Sequence, residues 1–291
     1  MTAGQIKRKG IFYTIASGSV FSVYPICVRL ILESVNIETA NILVSMFASL
    51  LFLTIFSFKG DCLIHYKSIL RNPKQIALLS IVSAVSTLLF TEGILISGPT
   101  KATFIMQLVF VFNVLFGTLI LKERFLKSEA VGIVIAVFGT FILAYNQMSV
   151  EIIGTLMLLA ASFLVAITGL LSKVYLRKMN PITLAGGTPL FVLIFLSVYS
   201  VSLGKIDISF PMPIVFYAVI AALTGLVLSY IFLFKALQVY DLSKVSGIRT
   251  FESFLTVIWA FLVLSQFPTA NQLLGGALIV TGVTLLVIAK K

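Results

Sequence analysis

The sequence predicts an all-α membrane protein, with ten transmembrane helices forming two inverted five-helix repeats around a central cavity. Three observations predict this fold: the apolar composition, the placement of the basic residues, and an internal repeat. Of the 291 residues, 59% are hydrophobic and only 11% are charged. The mean hydropathy is +1.13. Such a chain suits a lipid bilayer and not the aqueous environment of a soluble globule.

Apolar segments that are long enough to cross a bilayer recur along almost the whole chain. A helix needs roughly 20 apolar residues to cross about 30 Å of hydrocarbon. Apolar residues lie on all sides of each segment, which indicates membrane helices and not the alternating strands of a barrel. The ten predicted spans are 10–32, 40–58, 75–97, 102–121, 129–145, 152–172, 181–203, 213–234, 245–265 and 272–289.

The basic residues predict the orientation of these spans. The net charge is +11, but the lysines and arginines cluster at alternate helix ends, and the opposite ends hold only Lys101 and Lys205. By the positive-inside rule, both termini are expected in the cytoplasm and the protein in the cytoplasmic membrane. The charge is therefore interpreted as a topology signal and not as a nucleic-acid surface. Cys27 within a span and Cys62 in a predicted cytoplasmic connection are not expected to form a disulfide.

Two stretches of the sequence form an internal repeat. When "LILKERFLKSEAVGIVIAVFGTFILA" is laid over "LVLSQFPTANQLLGGALIVTGVTLLVIA" at an offset of 143, Gly132 falls on Gly275 and Gly139 on Gly282. Five helices per copy is an odd number, so the second copy enters the membrane in the opposite direction. The first stretch then has its charged connection in the cytoplasm, and the second has an uncharged one outside.

An inverted repeat is typical of secondary transporters. We expect the first repeat to cover residues 1–147 and the second to cover residues 148–291. No GxxxxGK[ST] loop is present in the sequence, so direct drive by ATP is not expected.

The chain resembles the EamA-type carriers of the drug/metabolite transporter superfamily. The match is carried by "LILKERFLKSEAVGIVIAVFGTFIL", which is similar to the family's Glu-Arg followed by two spaced glycines. The resemblance implies a cavity surrounded by the first four helices of each half, and a homodimer through helices five and ten. The small residues of these two helices, Gly132, Gly139, Gly275, Gly276 and Gly282, either pair subunits or serve packing within the chain. The chain departs from the family at Phe110 and Ser253, where a proline is usual, and at Gln266, where the second copy lacks an acidic residue.

Ionisable side chains inside membrane spans are costly and often functional. Those in the predicted spans are Arg29, Glu92, Lys235, Arg249 and Glu252. Glu92 and Glu252 are candidates for proton coupling, since a buried carboxylate can carry a proton. Arg29 binds substrate or else pairs with Glu33. Arg249 and Glu252 either bind a zwitterion or pair with each other, and Lys235 is expected to reach the cytoplasmic interface.

Polar and aromatic side chains near the predicted midplane complete the candidate site. Tyr24 precedes Pro25, a proline that is expected to kink the first helix. Gln107 and Asn113 place amides in the fourth helix, where they need partners or a ligand. The full set of predicted substrate-binding residues is Tyr24, Arg29, Glu92, Gln107, Asn113, Tyr230, Arg249, Glu252, Thr256 and Trp259.

These patterns predict a carrier and not an enzyme. No HExxH, GxSxG or CxxC motif occurs, so neither a metal site nor a cofactor is expected. The predicted function is alternating-access transport of a small organic metabolite, with export of an amino acid or a related amphiphile favoured. The alternatives are import or exchange of a larger metabolite, such as a nucleotide-derived cofactor resembling S-adenosylmethionine, and a non-transporting intramembrane enzyme or scaffold. The expected partners are the small-molecule substrate and membrane lipid.

Overall fold

A computed structural model describes the chain as a bundle of helices. It describes residues 3–58, 62–122, 149–207 and 210–289, and within 131–142 only 131–132, 134–135, 137–139 and 142. The first helices are α1 (Ala3–Phe21), α2 (Tyr24–Ile31), α3 (Ile37–Phe58), α4 (Cys62–Arg71), α5 (Pro73–Met106) and α6 (Leu108–Leu119). They are followed by α7 (Ser149–Tyr175), α8 (Pro181–Leu203), α9 (Met212–Ala221), a π-helix (Ala222–Leu228), α10 (Ser229–Val239), α11 (Leu242–Arg249), α12 (Glu252–Leu264) and α13 (Ala270–Ala289).

Seven segments of the described chain are long and apolar enough to cross a membrane. They are Arg8–Ile31, Ile37–Ser57, Pro73–Leu119, Ile152–Tyr175, Pro181–Leu203, Met212–Val239 and Leu242–Leu264. The chain is therefore an integral membrane protein. The segment Pro73–Leu119 has 47 residues, and it covers the predicted spans 75–97 and 102–121. The predicted span 129–145 lies mostly outside the described residues.

Proline and glycine set the ends and kinks of several helices. The first span is interrupted after Phe21, and Pro25 lies in the first turn of α2, as the expected kink requires. Helix α5 kinks at Gly98, whose φ of 76° favours glycine, and Pro99 follows it. The side chain of Asn180 accepts a hydrogen bond from the backbone N–H of Ile182 at 2.9 Å, which caps the start of α8.

Small residues allow the helices to approach closely. A Cβ at Gly93 of α5 would overlap Leu158 of α7, and a Cβ at Gly186 of α8 would overlap Phe56 of α3. Gly139 packs directly on the backbone of α13 in the same chain, because a Cβ there would lie 2.7 Å from the carbonyl oxygen of Gly275. Close backbone contact of this kind is a usual way for membrane helices to associate.

The connection between the second and third predicted spans contains a short helix that the sequence analysis did not predict. Helix α4 has ten residues and packs on α8, where His65 Nδ1 lies 2.7 Å from the hydroxyl of Thr183. The His65 ring also stacks on Phe56 with 4.6 Å between the ring centroids. Helix α4 is too short to cross a bilayer. It connects the end of α3 to the start of α5 and therefore lies at one end of the bundle.

Candidate functional site: a central cavity

A central cavity lies between helices from the two halves of the chain. Its volume is about 160 Å³. The polar groups of its lining are Tyr24, Ser83, Ser86, Thr87, Thr103, Gln107, Asn113, Thr168, Ser172, Thr188, Ser229, Tyr230, Ser246, Arg249 and Glu252. The other lining residues are apolar or aromatic. A cavity whose walls combine apolar surface with convergent polar groups is typical of a site for a small organic molecule.

The cavity lies toward one end of the bundle. On α5 it is lined from Leu79 to Phe90, in the part that follows Pro73, and again at Thr103 and Met106, beyond the kink at Gly98. On α7 and α10 the lining includes Ser172 and Leu237, each within a turn of the helix's last residue. The cavity therefore occupies the half of the bundle in which α5 begins and α7 and α10 end.

The opposite end of the bundle is closed by contacts between the two halves of the chain. The backbone N–H of Asn36 donates to Asp207 Oδ2 at 2.8 Å, and the backbone N–H of Asp207 donates to Thr39 Oγ1 at 2.8 Å. Beside them, Lys205 Nζ lies 3.6 Å from Glu38 Oε1. These contacts join the connection before α3 to the one after α8.

Two helices are broken where they line the cavity. Helix α5 ends at Met106 and α6 begins at Leu108, while α11 ends at Arg249 and α12 begins at Glu252. Met106 and Arg249 are 143 residues apart. Gln107, Thr250 and Phe251 keep right-handed helical dihedrals, so each break is a short tightened turn within one membrane span.

An ion pair lies at the second break and faces the cavity. Arg249 donates from Nε and Nη2 to Glu252 Oε2, at 3.0 and 2.7 Å. The two side chains are only 16% and 14% exposed. The guanidinium carbon of Arg249 also lies 5.2 Å from the centroid of the Phe21 ring, a favourable position for a cation on an aromatic face. Arg249 and Glu252 can each give up part of their contact with each other and bind the opposite charge of a ligand.

Aromatic rings form the wall beside this ion pair. Tyr24 is buried and stacks on Phe21 and Phe90, with ring centroids 5.3 and 6.3 Å apart. The π-helix passes directly over the Tyr24 ring, because a Cβ at Gly225 would overlap it. Tyr230 follows the π-helix and also lines the cavity. This wall offers an apolar side chain a flat surface and two phenol hydroxyls.

The two predicted amides line the cavity at the first break. Gln107 donates from Nε2 to the Thr103 carbonyl at 3.4 Å. Asn113 donates from Nδ2 to Ser246 Oγ at 2.5 Å, a contact that crosses between the halves. Asn113 Oδ1 is buried and has no hydrogen-bond partner within the described residues. Such an acceptor is costly unless a ligand or water satisfies it.

The structure brings together six of the ten predicted site residues. Tyr24, Gln107, Asn113, Tyr230, Arg249 and Glu252 all line the cavity. The other four do not belong to its lining. Arg29 donates from Nη1 to the Leu95 carbonyl at 3.2 Å, and Thr256 donates its buried hydroxyl to the Ser22 carbonyl at 3.1 Å.

Glu92 and Trp259 lie away from the cavity. Glu92 is half-buried, and over the described part of the chain it makes no hydrogen bond or ion pair. Trp259 is 39% exposed. Among the described ion pairs, Arg29 does not contact Glu33, and Lys235 lies 5.4 Å from the centroid of the Tyr13 ring.

Several cavity residues were not predicted, and Ser246 and Phe21 are two that contact predicted ones. Ser246 accepts the Asn113 hydrogen bond and lies 143 residues after Thr103, which also lines the cavity. The repeat offset could therefore have identified it. Phe21 was not predicted from the sequence. The chain has 25 phenylalanines, and nothing in the sequence distinguishes Phe21 from those that face lipid.

The described residues contain no group of three or more His, Cys, Asp or Glu side chains placed to hold a metal ion. This part of the chain gives no structural support for a metal centre. The cavity is instead suited to binding an organic molecule through its ion pair, hydroxyls and rings.

Comparison with known proteins identifies the family. One solved crystal structure of a protein is similar to this fold over 96% of this chain and 97% of its own, with a TM-score of 0.76 and 14% sequence identity. No curated protein sequence matches the chain. The model of the EamA-like transporter family matches residues 8–145 and again residues 152–288. The chain therefore belongs to the EamA-like transporter family.

Proposed function

We propose that the protein is a secondary transporter that moves a small organic metabolite by alternating access. The observation that carries this proposal is the central cavity, because both halves of the chain line it, it lies at two helix breaks, and it contains an ion pair. A binding site at the interface of two repeats is typical of secondary transporters. Membership of a transporter family supports the same function.

The proposed architecture is ten spans in two inverted five-helix repeats, residues 1–147 and 148–291. The two family-model matches, 8–145 and 152–288, support a duplication. The separation of the two helix breaks by the offset of the sequence repeat supports it as well. A homodimer through helices five and ten is a further part of the proposal, and light scattering of the purified protein would test it.

The proposed orientation places the cavity toward the cytoplasm. Lys74, Lys173 and Lys244 lie at the end of the bundle that holds the cavity, and basic residues favour the cytoplasmic side. Asp207 and its partners then close the outer end. The structure would represent an inward-facing state in the cytoplasmic membrane, with both termini in the cytoplasm.

The proposed substrate is an amino acid or a related amphiphile, and the proposed direction is export. Arg249 offers a cation to a carboxylate, and Glu252 offers an anion to an ammonium group. Tyr24 and Tyr230 offer rings to an apolar side chain. Protons are the proposed coupling ion. Of the two candidate carboxylates, Glu252 is favoured over Glu92 because only Glu252 lines the cavity.

A thermal-shift panel tests this proposal. The purified protein is heated with amino acids, S-adenosyl compounds, nucleotides or quaternary amines, because a ligand that binds only the folded state raises the Tm. We expect amino acids to raise the Tm of the wild type and to have no effect on Arg249→Ala. Stabilisation by nucleotides alone would overturn the substrate assignment.

Uptake into proteoliposomes then tests transport itself. Vesicles loaded with the unlabelled ligand are expected to accumulate labelled ligand by exchange. Arg29→Ala serves as a control. Arg29 is another arginine among the predicted substrate-binding residues, but it does not line the cavity. A ligand that binds but never crosses the vesicle membrane would reject the transporter function.

A further inference from the structure

Helix α4 presents a buried face and an exposed face that carries both apolar and basic side chains. His65 and Ile69, one turn apart, are buried against the bundle. Leu63 and Leu70, two turns apart, are 74% and 67% exposed. Lys67 and Arg71, again one turn apart, are exposed. Ile64, on the other side of this basic pair, is also exposed, at 65%. A helix that exposes apolar and basic side chains together suits the membrane interface.

The position of α4 agrees with such a location. It connects α3, which spans the membrane, to α5, which spans it again. Its His65 is held at the third residue of α8, a further span, by the 2.7 Å contact with Thr183. Three spans therefore begin or end around α4. At about 15 Å in length the helix cannot cross the bilayer itself.

The charge of this segment specifies the chemistry of its partner. Between Cys62 and Lys74 the sequence contains Lys67, Arg71 and Lys74 and no aspartate or glutamate. All three basic side chains are exposed. Exposed leucines lie beside basic groups for which the described residues provide no ion pair. Together they complement a surface that offers hydrocarbon and negative charge at nearly the same depth. The surface of an anionic lipid leaflet has this property.

We propose that α4 is an in-plane interfacial helix that binds anionic phospholipid headgroups. Leu63 and Leu70 enter the acyl region, and Lys67, Arg71 and Lys74 contact the headgroup phosphates. The contact of His65 with Thr183 then couples the bound lipid to α8, which contributes Thr188 to the cavity wall. This lipid site is separate from the central cavity and does not depend on the proposed substrate.

Lipid binding is tested on the full-length protein by native mass spectrometry. The protein is reconstituted in nanodiscs of phosphatidylcholine, with or without phosphatidylglycerol, and then released. We expect bound phosphatidylglycerol on the wild type, and retention reduced about tenfold or more in Lys67→Gln/Arg71→Gln. The control Arg177→Gln/Lys178→Gln removes the same two residue types from another exposed connection and should behave as the wild type.

Equal loss of phosphatidylglycerol from the two double variants would overturn the proposal, since general surface charge would then explain the binding. Displacement of phosphatidylglycerol by inorganic phosphate alone would also overturn it, because the site would then recognise a free anion. Neither variant alters the cavity, so failure of the transport proposal leaves this measurement unaffected.

The depth of α4 is tested independently with spin labels. Single cysteines replace Leu70 or Lys67 in a background lacking Cys27 and Cys62, and collisions with oxygen and with a water-soluble nickel complex are measured in vesicles. We expect oxygen to dominate at Leu70 and nickel to dominate at Lys67. Strong nickel access at both positions would place α4 in water and overturn the interfacial location.

Discussion

The helix break of the first half and that of the second lie at corresponding positions of the repeat but differ in chemistry. In the first half, Met106 and Val109 face the cavity at the break, and both are uncharged. The residues 143 positions later are Arg249 and Glu252, which form the ion pair. The two repeats each contain a helix break, but charged side chains lie at only one of the two breaks. Recognition of a charged ligand is therefore expected to depend on the second half.

The largest expected effect comes from making the second break resemble the first. Arg249→Met or Glu252→Val alone leaves one buried charge without its partner, which costs about 3 kcal/mol of folding stability. The double variant Arg249→Met/Glu252→Val removes both charges and should cost less than about 1 kcal/mol. Thermal unfolding in detergent measures these differences.

Ligand binding by the double variant provides the decisive contrast. It should fold as well as the wild type yet lose all stabilisation by the ligand, because no charge remains at either break. A double variant that keeps the full ligand-induced rise in Tm would show that the ion pair is structural only.

The next effect concerns Asn113 and Thr256, which also lie 143 residues apart. Asn113→Leu removes the hydrogen bond to Ser246 inside the cavity and should cost about 1–2 kcal/mol of stability and weaken ligand binding. Thr256→Val removes the contact with the Ser22 carbonyl and should cost about 1 kcal/mol with no change in affinity. Isothermal titration of both variants separates the two roles. Equal loss of affinity in both would contradict the distinction.

A smaller effect is expected at the breaks themselves, where Gln107 and Thr250 are the corresponding residues. Gln107→Leu should weaken the ligand about fivefold, the value of one neutral hydrogen bond. Thr250 donates its buried hydroxyl to the Gly247 carbonyl at 2.8 Å and does not line the cavity, so Thr250→Val should lower the Tm and leave affinity unchanged. An affinity loss confined to Thr250→Val would reverse this assignment.

The membrane spans were predictable because their signal is long and repeated. The seventh predicted span, 181–203, has the bounds of α8, Pro181–Leu203, and α13 begins at Ala270, two residues before its prediction. Proline, glycine and the ends of the apolar runs mark where such helices begin and end. The breaks were not predictable in this way, because Gln107 is neither proline nor glycine and both of its flanks are apolar. Helix α4 was not predicted because its ten residues mix polar and apolar types, as the residues of a loop do.

Helical angles explain why Trp259, one of the predicted site residues, does not line the cavity. Successive residues are rotated by roughly 100°, so Trp259 is about 80° away from Arg249 at the edge of its stripe. The structure accordingly leaves Trp259 half-exposed, while Thr256, closer to the centre of the stripe, is buried. Contacts between helices, such as Asn113 with Ser246, depend on packing that no single segment of sequence reveals.

The smallest effect is expected at Glu92, although a charge within a membrane helix is usually costly to keep. Ser83 and Thr87 of the same helix line the cavity, and Glu92 lies roughly 100° away from the adjacent Thr91, which points inward to Asn41. Glu92 is half-buried and has no ion pair to lose within the described residues. Glu92→Gln should therefore change stability by no more than about 0.5 kcal/mol.

Proton dependence distinguishes Glu92 from Glu252 directly. Transport by Glu92→Gln in proteoliposomes should respond to an imposed pH gradient as the wild type does, because its carboxylate does not face the substrate. Glu252→Gln should lose that response, since the carboxylate that faces the ligand is also the group that would exchange the proton. If Glu92→Gln abolishes the response and Glu252→Gln keeps it, the first half carries the coupling, and the two halves then divide substrate recognition and proton coupling between them.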